Sequence, residues 1–100
     1  MILYNVTFHV EVGIVEEFKD FIKNDHLSTL TNDDKIIDHQ FFKLLNVDDS
    51  EGVSMALHYV LKDMSSYNQH IVTVDSQLKK LIHGRYNEKV LYFCSVLDKI

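Results

Sequence analysis

Ile2-Leu3-Tyr4-Asn5-Val6-Thr7-Phe8-His9-Val10-Glu11 alternates without a break, with Ile2, Tyr4, Val6, Phe8 and Val10 on one side and Leu3, Asn5, Thr7, His9 and Glu11 on the other. A period of two reads as a β-strand with one richly apolar face. After Gly13 the spacing changes: Ile14, Phe18, Phe21, Ile22 and Leu30 fall at helical intervals, and Glu16 and Glu17 put negative charge where the dipole of a starting helix favours it. A helix from about residue 14 to about residue 30 follows. Thr31-Asn32-Asp33-Asp34 then ends it, because short Asn and Asp side chains bond nearby backbone and compete with helix.

Further along, Ile36-Ile37-Asp38-His39-Gln40-Phe41-Phe42-Lys43-Leu44-Leu45 reads as a second strand, with paired apolar residues that leave open whether Phe41 or Phe42 faces the helices. Asn46 to Gly52 is a polar hairpin loop, and Val53, Met55, Leu57, Tyr59 and Leu61 alternate as a third strand antiparallel to the second. Met64, Tyr67, Ile71, Val74, Leu78 and Leu81 step by three and four, the mark of a second helix. Ser65 or Ser66 is its expected N-cap, the latter with Gln69 in capping-box position, and Gly84 its expected C-terminal cap. Lys89 to Leu97 forms the last strand. The order strand, helix, strand, strand, helix, strand is the split βαβ pattern of an α+β, ferredoxin-like fold: a four-stranded antiparallel sheet with two helices on one face.

One hundred residues suit a single domain, 1–100, and 46% apolar with 25% charged residues is globular composition. A formal charge of −5 has the wrong sign for phosphate neutralisation, which argues against nucleic acid and against an anionic membrane surface. The opening residues lack the basic start and small-residue cleavage site of a secretory signal, and no apolar run approaches a membrane span. A lone Cys94 in an apolar strand reads as a buried thiol in a reducing cytoplasm.

Two helices cover one face of such a sheet, yet Leu3, Val60, Leu91, Phe93 and Leu97, with Phe41 or Phe42, supply apolar side chains to the other as well. A second copy is the simplest cover, since a two-fold pair stacks one self-complementary face on itself. A sheet-to-sheet homodimer is the expectation.

Met1-Ile2-Leu3-Tyr4-Asn5-Val6-Thr7, the helix segment Phe21-Ile22-Lys23-Asn24-Asp25-His26-Leu27 and the strand Phe41-Phe42-Lys43-Leu44-Leu45 resemble a family of small bacterial proteins, a domain of unknown function in the dimeric α/β-barrel superfamily. The chain departs from that pattern in having no Trp near Phe18 and Asn32-Asp33-Asp34 where members carry a Gly. The resemblance implies the dimeric barrel and a cavity between sheet and helices. Related branches include cofactor-independent monooxygenases, haem-degrading enzymes, small isomerases and amino-acid-sensing domains, a likeness of architecture alone.

Phe18, Ile22 and His26 lie at i, i+4 and i+8 and so share a helix face that looks toward the sheet. His26 there is either a ligand donor or general base, or a helix-terminal imidazole bonding a carbonyl. Asn5 either orients a substrate oxygen or bonds across the dimer. Tyr4 and Tyr59 are core residues whose hydroxyls need partners and would give an aromatic pocket a polar spot; Tyr67 and Tyr92 fall on the same apolar positions. His9 and His58 lie on neighbouring strands and would meet across them, but two His fall short of a metal site, and the widely separated Gly13, Gly52 and Gly84 form no phosphate-cradling loop. No cofactor is expected. The reading is a cytoplasmic homodimeric domain that binds a small hydrophobic or aromatic ligand, or a partner. The alternatives are a cofactor-independent enzyme, monooxygenase- or isomerase-like, with His26 as acid or base, and a stand-alone sensing domain.

Overall fold

The computed structural model describes residues 1–30 and 34–100. Four strands, β1 (Ile2–Glu11), β2 (Ile36–Lys43), β3 (Gly52–Leu61) and β4 (Val90–Asp98), form one sheet in the order β2-β3-β1-β4 with every neighbouring pair antiparallel. Two helical stretches cross it: α1, residues 12–30, and α2, residues 64–86. This is the ferredoxin-like α+β arrangement. Of the expected turn Thr31-Asn32-Asp33-Asp34, only Asp34 lies within the described residues, in a turn.

β1 and β3 are the two inner strands of the sheet. Ile2, Tyr4, Val6, Phe8 and Val10 are all buried beneath the helices and are joined there by Met55, Leu57, Tyr59 and Leu61 of β3. Each such side chain stabilises by about 1.5–3 kcal/mol when fully removed from water. Phe8 meets Phe18 edge to face at 5.0 Å, and Phe18 meets Tyr86 at 5.6 Å, so an aromatic cluster joins β1, α1 and α2 at one end of the sheet. On the outer surface Arg85 straps α2 to α1, lying over the Phe21 ring at 5.0 Å and pairing with Glu17 and Asp25 at 3.6 Å each.

The end signals of α2 differ from the expected ones. Asp63 is the N-cap, its carboxylate accepting the Ser66 N–H at 2.8 Å, so the serines lie inside the first turn. A carboxylate gains from the helix dipole as well as from the hydrogen bond, and an aspartate one turn earlier outcompetes a serine hydroxyl. The helix also runs through Gly84 to Tyr86, and Asn87, with φ of 52°, takes the left-handed position instead. Asn tolerates that conformation better than other side chains.

Strand two resolves with Phe42 outward on the open face and Phe41 packed against the core under the helices. The open face joins Leu3, Asn5, Thr7 and His9 of β1 to Ala56, His58 and Val60 of β3, and to Leu91, Phe93 and Leu97 of β4. Phe93 is 64% exposed, Leu91 59%, Leu97 49% and Phe42 47%. Cys94 is exposed rather than buried. It points to the helix side, as does Tyr92, but β4 is an edge strand that two helices leave largely uncovered, and Tyr92 is exposed there too.

Candidate functional site

Both helices change winding midway. In α1 the regular turn Val15–Asp20 gives way to a π-helical segment, Phe21–His26, before a short 3₁₀ end, Leu27–Leu30; in α2 the π segment Ile71–Asp75 separates Met64–His70 from Ser76–Tyr86. In an α-helix a residue five positions on points about 140° away, whereas a π turn brings i and i+5 into line. That is why His70 and Asp75 are both buried, as are Phe21 with His26 and Ile22 with Leu27. The extra residue also moves the buried face of α2 to His70, Asp75, Leu78, Ile82 and Tyr86, leaving Met64 and Leu81 of the expected seam exposed.

The π turns lower polar groups onto the tyrosines of the sheet. Tyr4 of β1 and Tyr59 of β3 are paired across the ladder, their rings stacked at 6.1 Å. The Tyr4 hydroxyl donates to Asp75 Oδ2 at 3.0 Å, and Lys79 Nζ, one helical turn on, donates to the same oxygen at 2.8 Å and to the Tyr4 hydroxyl at 3.3 Å. Asp75 is therefore a buried carboxylate neutralised by a lysine whose stem leads to the surface. Its Oδ1 is buried without a hydrogen-bond partner among the described residues. On the other side Tyr59 OH contacts His26 Nε2 at 2.5 Å, and the His70 ring packs between the two tyrosines, 4.5 Å from Tyr59 and 5.7 Å from Tyr4. Tyr67 closes the end against Tyr4 at 5.4 Å.

Burial sets the protonation states. Desolvation pushes the phenols of Tyr4 and Tyr59 well above their ordinary value, and for Tyr4 the Cys94 thiol and the Asp75 charge add to it. Both keep their protons. Burial, with some help from His70 and against the pull of Asp75, brings His26 down from 6.5 to about 4, so its ring is neutral at pH 7. For Lys79 burial works the other way, but the hydrogen bond and charge of Asp75 outweigh it and hold the ammonium above its usual value. The Tyr59 phenol has no other acceptor among the described residues, so its O–H donates to Nε2 and the imidazole proton sits on Nδ1.

A groove of about 420 Å³ between the helices is lined by Asp25, His26, Thr29 and Leu30 of α1 and Val74, Gln77, Leu78 and Leu81 of α2. Phe18 and Ile22, expected to border a cavity under the helices, are completely buried in packed core with Phe8, Leu57 and Leu61. The sheet–helix space is filled there, and the opening lies above it.

Of the six candidate ligand residues, the structure brings His26, Tyr59 and Tyr4 into one polar cluster, packs Phe18 and Ile22 into the core beside it, and puts Asn5 on the opposite face of the sheet. Asn5 donates to Thr7 Oγ1 at 3.0 Å. His9 and His58 share that open face but do not meet: His9 is opposite Ser54 and His58 opposite Asn5, four residues and about 13 Å apart along the ladder. The His9 ring instead lies over Gly52, where a Cβ would come within 2.5 Å of its Nε2. Sequence reasoning missed Asp75, Lys79 and His70. The available signal was the i, i+4 pair Asp75 and Lys79, beside a seam of apolar steps into which His70 and Asp75 do not fit. Among the described residues no three His, Cys, Asp or Glu side chains gather as a metal site, and no helix is long and apolar enough to cross a membrane.

Two solved structures share the architecture. A dimeric ferredoxin-like protein from an uncultured marine organism superposes with a TM-score of 0.76 at 13% identity, over 96% of this chain and 92% of its own. An ethyl tert-butyl ether d (EthD) family protein from Bacillus halodurans C-125 superposes at 0.68 with 14% identity over the whole of both chains. At such identities the likeness is one of fold. None of the curated proteins matches in sequence. Residues 1–100 match the family described as Domain of unknown function (DUF4286), and with a match over its full length the chain belongs to that family.

Proposed function

We propose that residues 1–100 form one domain that pairs sheet to sheet with a second copy and serves as a non-enzymatic ligand- or partner-binding unit. The observation that carries the pairing is the open face, where Leu91, Phe93, Leu97 and Phe42 stand about half exposed on otherwise regular strands. Large exposed apolar side chains gathered on one sheet face mark an interaction site, and the dimeric state of the marine ferredoxin-like protein supports a second copy as the cover. The lone, exposed Cys94 thiol suits a reducing compartment such as the cytoplasm. Sedimentation at micromolar concentration should give twice the 11.7 kDa chain mass, and Phe93→Asp should give a folded 11.7 kDa monomer. A wild-type monomer would overturn the pairing.

A cofactor-independent enzyme is the second reading, favoured by one observation: a neutral, buried His26 lining a groove, held by a phenol. His26→Ala that folds normally but loses turnover would support it. Against it stand the packed core at Phe18 and Ile22 and the use of Nε2 by Tyr59.

A further inference from the structure

We propose that the groove between α1 and α2 above His26 is a binding site for a small neutral molecule that joins an apolar body to a carbonyl-type hydrogen-bond acceptor. This deepens the ligand-binding half of the reading above and holds whether or not the chain dimerises, because the groove opens on the helix layer, away from the open face of the sheet.

The donor comes first. His26 is buried to within 7% and is held from below by the Tyr59 hydroxyl, which leaves Nδ1–H as the remaining hydrogen-bonding group of the ring. No described residue accepts from it, while His26 lines the groove. Nδ1 is not among the buried atoms that lack a partner, so water in the groove reaches it; a carbonyl oxygen can replace that water, and a ring already fixed by its other nitrogen loses little entropy in doing so. A phenol–imidazole pair at the lining of a groove is thus a preorganised donor.

The walls supply the apolar half. Leu81 is 58% exposed and Val74 only half buried, although both belong to the apolar seam of α2; the π turn has rotated that seam away from the sheet and toward α1. At about 420 Å³ the groove falls within the range of small-molecule sites, roughly 300–1,000 Å³. The charges select a neutral ligand: His26 is uncharged at pH 7, and Asp25 at the rim, which shares Arg85 with Glu17, disfavours an anion. Both helices are wound in π turns, Phe21–His26 and Ile71–Asp75, beside this opening, and such turns recur at functional sites.

Acetophenone is the probe, with ethylbenzene as a similar shape lacking the acceptor. Long-range ¹H–¹⁵N spectra of histidine-labelled protein should show His26 protonated on Nδ1, and titration with acetophenone should shift that nitrogen saturably, with a dissociation constant of about 1 mM for a ligand of this size. Ethylbenzene should bind about tenfold more weakly. Leu81→Asp, at an exposed position that cannot compromise the core, should abolish the shift. No saturable shift, equal binding of the two probes, or binding unaffected by Leu81→Asp would each overturn the site. Repeating the titration on Phe93→Asp separates the two readings: an unchanged shift keeps the groove even if sedimentation rejects the dimer.

Discussion

The two faces of the sheet are built from the same strands and by opposite rules. Under the helices every second residue of β1 is sealed, and the polar groups that go with them, Tyr4, Tyr59, His26 and Asp75, are tied to one another or to Lys79. On the open face polar and apolar residues are mixed, with Asn5, Thr7 and His58 on β1 and β3 beside exposed Leu91, Phe93 and Leu97 on β4. A sealed polar group without a partner costs free energy, so the covered face had to become a network; an open face has water to satisfy its polar groups and only its apolar ones call for cover. The covered face therefore carries stability, and the open face is left for the pairing proposed above.

The sharpest break in this comparison is to truncate one phenylalanine on each side. Phe8→Ala should cost about 3–5 kcal/mol in urea denaturation through the cavity it leaves between Phe18 and Tyr92. Phe93→Ala should cost the isolated chain less than about 1 kcal/mol, since it is mostly exposed. Equal losses would mean that the open face is part of a folding core.

Acid tests the sealed network by itself. The unfolded chain protonates His26 near 6.5 and the folded chain only near 4, so between those values the unfolded state binds more protons and stability falls as the pH drops. The loss should reach about 3 kcal/mol by pH 4. His26→Gln should remove that part of the slope, and identical slopes for the two proteins would show the ring to be protonated in the fold. The smallest effect belongs to the open face: Thr7→Val deletes the Asn5 contact at 3.0 Å, where water can replace it, and should change stability by no more than about 0.5 kcal/mol.

The alternation from Ile2 to Glu11, the helical spacing of Phe18 and Ile22, and the order of elements all appear in the sequence, because period two and period 3.6 are local properties of the chain. His26 was legible as an inward-facing imidazole for the same reason. Its partner was not, since Tyr59 lies 33 residues away and meets it only when α1 crosses β3. The buried face of α2 was misjudged because one additional residue in the turn Ile71–Asp75 shifts the helical phase, and no local pattern announces where a helix widens. Cys94 was misplaced because its strand is apolar in sequence and yet is an edge in the sheet.

What the sequence by itself determined is therefore the set of elements, the apolar side of β1 and β3 and the fold that joins the elements, since these follow from side-chain periodicity and turn chemistry. What only the tertiary structure decided is which polar groups meet: the chain Lys79–Asp75–Tyr4, the pair Tyr59–His26 and the groove above it. Buried polar groups must find partners wherever the packing of helices on sheet brings them, and that choice is made by contacts between residues far apart in sequence.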